Sequence, residues 1–284
     1  MRCTPLQESI LWAKPLNALK LLELGADTKL GDSEDLPTSA LYQCVVASLE
    51  DLMLAEGLCQ RGLGVDDGPS DYETPFMFAV RNGCFKPADF LRSHGANVNA
   101  LCSRGYMWSS VTRHTILLVL HRNNRAPSLS GLSFLLNPKS CATVAPVVDV
   151  VVEPELNQTA FHAIVMLNGD SLHSDTATKA LKKCDEYFKP STVTLNMKSC
   201  PRLHTRASPS DTDMKSVVDQ GGNTALHYVA IYANFEAVNY LLTNGAHPTI
   251  MDTMGMTALD IASLFYPDFE TRFIPTDVPK SWER

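Results

Sequence analysis

Histidine is the side chain best suited to move a proton near neutral pH or to hold a metal, and this chain has eight. Two of them end nearly the same phrase: His162 closes Thr159-Ala-Phe-His and His227 closes Thr224-Ala-Leu-His. His114 and His121 stand seven residues apart and would share one helix face, but no carboxylate or cysteine stands at a ligand spacing from them. Eight cysteines are scattered without a C-x-x-C pair, which argues against a zinc knuckle or a redox couple and for small buried hydrophobes in a reducing compartment. Asp211 and Asp213 lack the glycine turn and closing glutamate of a calcium loop. The stretch Gly62-Leu-Gly-Val-Asp-Asp-Gly68 begins as G-x-G, then misses the spacing of a dinucleotide fingerprint. Phosphate-cradling G-x-x-x-x-G-K-[ST], zinc-binding H-E-x-x-H and nucleophile-elbow G-x-S-x-G motifs are absent. The expectation is a protein that is not an enzyme, with no cofactor, no metal and no small-molecule substrate.

The elements that position these residues repeat. Gly222-Asn-Thr-Ala-Leu-His is answered by Gly255-Met-Thr-Ala-Leu-Asp, an interval of 255 − 222 = 33 residues. Thr224 reads as a helix N-cap, and Leu226, Val229 and Ala230 form one apolar stripe behind it. A second helix over about 235–243 places Phe235, Val238, Leu241 and Leu242 on one face, and Gly245 suits the left-handed residue that ends it. Counting 21 residues from Thr4 reaches Gly25, and from Thr74 reaches Gly95. Weaker openings stand at Thr38, Met107 and Thr159, the first reaching Gly62 three residues late.

With a marker of T-P-L-H-x-A and a period near 33, these phrases resemble the ankyrin repeat. Thr224-Ala-Leu-His-Tyr-Val, the Leu241-Leu242 pair, Gly245-Ala246 and Asp252 carry the resemblance. It implies an all-α solenoid of about seven helix-turn-helix units, two of them interrupted by insertions. It also implies that His162 and His227 hydrogen-bond neighbouring turns rather than perform chemistry. The expected organisation is four units over 1–136, a connector at 137–156, a fifth unit at 157–188, a polar and locally basic linker at 189–218, two units over 219–265 and a tail at 266–284. The connector, rich in β-branched residues at 144–152, is expected to run as an extended segment or as a docking strand. At the other end Asp260 replaces the motif His, and three prolines follow, so a short helix and an extended tail are expected there. Asn157-Gln-Thr159 formally fits a glycosylation sequon inside a repeat opening, where modification is not expected.

A net charge of −7 and a sequence pI near 5.6 argue against direct nucleic-acid binding, and no apolar run is long enough to span a bilayer. The expected place is the cytoplasm or nucleus. Function then falls to surface. In the ankyrin-like architecture the loop tips and the open side of the first helix of each unit grip partner proteins. Positions −4, −3 and −1 from each opening Thr, and +7 and +8 after it, give Gln220, Asn223, Ile231 and Tyr232, then Thr253, Met254 and Met256, to which the same loop adds Met251, then Arg81 and Asn82, with Arg104 and Tyr106 in the degenerate unit. The resulting expectation is a non-catalytic adaptor or scaffold with a protein partner, the alternative being a transcriptional coregulator that works through protein contacts.

Overall fold

The computed structural model describes residues 4–28, 39–46, 52–67, 73–102, 113–114, 129–137, 151–153, 157–166, 176–187, 195–199, 221–232, 234 and 236–266. Its secondary structure is helical, with strands of two or three residues that form hairpin stems. The chain divides into two compact bodies, one of residues 1–119 with 137–146, the other of 120–136 with 147–284.

The first body contains α1 (Pro5–Leu11), α2 (Pro15–Glu23), α3 (Ala40–Val46), α4 (Leu52–Gln60), α5 (Pro75–Asn82) and α6 (Phe85–Ser93), with β1 (Leu101–Cys102) antiparallel to β2 (Arg113–His114). Odd and even helices pair as α1–α2, α3–α4 and α5–α6, and α1, α3 and α5 line up as an inner row. The second body contains α7 (Leu129–Leu136), β3 (Val151–Glu153), β4 (Gln158–Thr159), α8 (Ala160–Val165), α9 (Thr176–Tyr187), α10 (Ala225–Ile231), α11 (Glu236–Thr243) and α12 (Ala258–Phe265). There α8, α10 and α12 form the inner row and α7, α9 and α11 the outer one. Each body is therefore a stack of helix pairs, the all-α repeat architecture expected.

Helix ends explain why the spacing rule works. Behind each of α2, α4, α6 and α11 stands a glycine with positive φ: Gly25 at 86°, Gly62 at 82°, Gly95 at 91° and Gly245 at 98°. In all four the next residue's N–H reaches back five residues, as Ala26 to Leu21 O (2.9 Å), Leu63 to Leu58 O (3.3 Å), Ala96 to Leu91 O (3.0 Å) and Ala246 to Leu241 O (2.9 Å). That is the Schellman closure, which satisfies otherwise orphaned carbonyls and needs a left-handed residue. Helix starts are as regular: the hydroxyls of Thr4, Thr74 and Thr257 accept the N–H of the third helical residue at 3.2 Å.

Three expected boundaries move. The cap of α3 is Ser39, whose Oγ accepts the Tyr42 N–H at 3.1 Å, so that unit opens one residue after Thr38. Met107 lies outside the described residues, and strand register gives the place of an opening residue to His114. Val151 pairs with Thr159 and Met251 bridges to Thr257, and the partner of Leu101 in the same register is His114. The hairpin before that unit is simply longer than the spacing rule allows. Third, the stretch taken as a linker re-enters the stack before it ends. Leu195 and Ser199 are buried, and Ser199 donates to Asn223 O (2.8 Å) as Asp252 donates to Met256 O (2.8 Å). Ser199 thus holds the place that Asp252 holds in the next unit, and residues 200–220 enter between it and Gly221. The β-branched connector, of which 151–153 are described, does pair, antiparallel to β4. The remainder of both insertions, and the tail from residue 267, lie outside the described residues.

Two buried histidines bind one unit to the next. His162 Nδ1 accepts the Thr159 N–H at 3.1 Å, which leaves Nε2 to donate to Asn223 O, also at 3.1 Å. His227 repeats the pattern with Thr224 N–H (3.1 Å) and Met256 O (3.2 Å). Both carbonyls stand one residue before the next opening Thr, so the units at 159, 224 and 257 are consecutive in the stack despite the long interval between the first two. Burial pushes the His162 imidazole down from 6.5 to about 4, and it lowers His227 in the same direction.

Since unfolded His162 takes up a proton below about 6.5 and folded His162 only near 4, its contribution is complete above that window and shrinks as pH falls through it, by at most about 3 kcal/mol. His162→Gln should start about 2 kcal/mol less stable above the window and show a flatter decline within it, read by denaturant unfolding across pH. Backbone geometry gives a second expectation. Ala13 has φ 50° in the inter-helix turn where the next described pair has Gly83 at 77°. Ala13→Gly should therefore raise stability by a few tenths of a kcal/mol, whereas Gly95→Ala should lower it by about 1 kcal/mol, both measured as urea midpoints.

Candidate functional site

The best-defined exposed feature of the second body is the hairpin that precedes α12. Met251 bridges to Thr257, and between them Asp252 Oδ1 accepts the N–H groups of Met254 (2.8 Å) and Met256 (2.9 Å). Gly255 supplies the left-handed corner with φ 77°. Thr253 Oγ1 donates to Gly221 O at 2.9 Å and so ties this hairpin to the preceding one. The ties are close: a Cβ on Gly222 would stand 2.8 Å from the Thr253 nitrogen. The neighbouring Lys198 Nζ donates to Met251 O at 2.6 Å. On this fixed backbone Met251 is 53% and Met254 51% exposed, Thr253 is exposed and Met256 half-buried.

The other expected positions divide. Tyr232 is half-buried at the end of α10, its ring stacked on Tyr228 with centroids 6.2 Å apart. Ile231, expected on the open face, and Asn223, expected on the loop, are buried. The reason is packing: α10 is flanked by α8 and α12 and backed by α11, and the Asn223 carbonyl takes the bonds from Ser199 and His162. Arg104, Tyr106 and Gln220 lie outside the described residues.

In the first body Arg81 and Asn82 stand at the end of α5. Arg81 places Nη2 at 2.9 Å and Nε at 3.1 Å from one oxygen of Glu73, while its guanidinium lies 5.3 Å over the Phe78 ring. Phe78 in turn meets Tyr42 of α3 at 5.0 Å. Burial raises the Glu73 carboxyl against the pull of Arg81, and burial with the nearby Glu73 charge lifts the Tyr42 phenol to about 12. Asn82 is exposed and donates to Phe78 O at 2.8 Å. Two residues of this inner row were missed. The +7 and +8 rule applied to Thr4 gives Leu11 and Trp12, and both are exposed.

Reactive residues are committed elsewhere. His94 places Nε2 at 3.2 Å from Glu56 and Nδ1 at 2.9 Å from Phe90 O. In the glycine-rich loop, Asp67 accepts the Gly64 N–H (2.7 Å) and Asp66 accepts the Asn97 N–H (2.8 Å), so it serves as a turn and an inter-unit tie. The Asn157 amide donates to Lys198 O at 2.8 Å and Thr159 is buried, an arrangement unsuited to a sequon. Buried Cys44 is pushed up to about 12 by desolvation, the mark of an inert thiol. Among the described residues no cluster of metal-ligating side chains occurs, and no helix is long and apolar enough to cross a membrane.

The model of the family described as ankyrin repeats (many copies) matches residues 216–262, and that of the single ankyrin repeat matches 71–103. No curated protein matches the sequence. Among solved structures the chain is similar to the ankyrin repeat domain of Bcl-3, described as a unique member of the IkappaB protein family, with a TM-score of 0.60, 13% identity and coverage of 92% of this chain and 94% of that one. The human ASB11 ankyrin repeat domain gives a TM-score of 0.51 at 19% identity over 92% of both chains. The ankyrin repeat protein EF0377 gives 0.51 at 18% identity, over 79% of this chain and 90% of that one. At such identities the likeness is one of fold. The family matches fall on the units with the clearest Thr openings and glycine corners, the folds agree along nearly the whole chain, and the protein is an ankyrin-repeat protein.

Proposed function

We propose that this chain is a non-catalytic adaptor that holds a partner protein against the inner helices and hairpin tips of its second body. Ankyrin repeats mediate protein–protein interaction, and the finer assignment follows from chemistry. The carrying observation is Met251 and Met254, about half exposed on a hairpin whose backbone Asp252 locks in place. Exposed apolar side chains lose water favourably on contact, and methionine adapts its unbranched chain to the surface it meets. Because the hairpin is already ordered, docking sacrifices little backbone entropy. Tyr232 adds an amphipathic ring of the kind enriched at the centre of interfaces.

The Tyr232→Ala, Met254→Ala double variant tests this. Wild type and variant, each immobilised, are exposed to the same native extract, and the bound proteins are quantified by mass spectrometry. A specific partner should fall by about tenfold or more with the variant, while far-UV circular dichroism stays unchanged. Equal recovery on both would remove the site.

A further inference from the structure

A second surface, on the first body, exposes more apolar area than the methionine hairpin. Trp12 ends α1 with 76% of its surface exposed, and Leu16, the second residue of α2, is 78% exposed. Leu11 is also exposed, as is Met53, the second residue of α4. Helices α2 and α4 pack side by side, and Leu16 and Met53 are the second residue of each. The left-handed turn at Ala13 reverses the chain between Trp12 and Leu16 and leaves both side chains outward. At about 150–250 Å² per large side chain, the four present on the order of 500 Å² of apolar surface, near the upper range for a monomer.

We propose that this face pairs with the same face of a second copy of the chain in a two-fold dimer. Two observations select a copy as the occupant. Doubling the patch gives roughly 1,000 Å², the lower bound for a specific interface. Charge also permits self-pairing. The protein carries −7 overall, yet α1, α2 and their turn hold Glu8, Lys14, Lys20 and Glu23, which sum to zero. Lys20 and Glu23 follow Leu16 along one exposed stripe of α2 and pair at 2.8 Å within a copy. None of these residues belongs to the methionine hairpin, so either assignment can fail alone.

Sedimentation velocity of the full chain over roughly 1–200 µM, a range that spans weak association, tests the dimer. The weight-average mass should climb from 31.2 kDa toward twice that value. Leu16→Glu should remain monomeric. Trp12→Glu should likewise remain monomeric, and both variants should keep the wild-type far-UV circular dichroism. That unchanged spectrum separates lost pairing from lost folding. A wild type that stays monomeric, or association that persists in Leu16→Glu or Trp12→Glu, would overturn the proposal. So would a monomer whose Trp12, kept as sole tryptophan in a Trp108→Phe, Trp282→Phe background, resists acrylamide quenching, because the chain itself would then cover the face.

Discussion

The helices described here run from 6 residues in α8 to 12 in α9, too short to persist alone in water. Each therefore depends on a neighbour to bury its stripe, and the stack exists only if successive units meet in a fixed register. Hydrophobic packing is too permissive to set that register alone. Directional bonds set it in the second body: the imidazoles of His162 and His227 accept from their own unit and donate to the next, at the same carbonyl position each time. Desolvation keeps both rings neutral, the form in which one nitrogen accepts while the other donates.

Where a residue type was forced by geometry, the sequence was readable. Gly25, Gly95 and Gly245 follow from the left-handed corner, and the histidines from their place after the opening Thr. Where geometry allows several residue types, reading slipped. Ser39 caps as well as Thr38 would, and a hydroxyl one position away leaves no trace in a periodicity argument. The unit at His114 has no Thr–His phrase, so only strand register locates it. Burial of Ile231 follows from neighbours on both sides of α10, which a count along one chain does not contain.

Insertion placement follows the same constraint. A hairpin tip can lengthen at a slowly growing entropic cost, whereas added residues between paired helices would shift every bond of the stack. The register between Ser199 and Asn223 matches that between Asp252 and Met256, although 23 positions separate the first pair (199 to 223) and 3 the second (252 to 256). Two residues before the opening Thr, the backbone turns left-handed at Asn157 (50°), Gly222 (75°) and Gly255 (77°). Asparagine tolerates that conformation, and at Gly222 the approach of Thr253 leaves no room for a Cβ.

Equivalent positions then acquire different chemistry without disturbing the stack. The seventh residue after the opening is exposed leucine at 11, arginine neutralised by Glu73 at 81 and buried isoleucine at 231. The eighth is an exposed tryptophan at 12, an asparagine bonded to its own helix at 82 and a stacked tyrosine at 232. Neither position carries a glycine corner or an inter-unit imidazole, so substitutions there leave the register intact and change only what the surface offers. Such a stack can therefore vary where the repeat is indifferent to residue type, and Trp12, a large apolar ring left exposed at one of those positions, shows how far the variation goes.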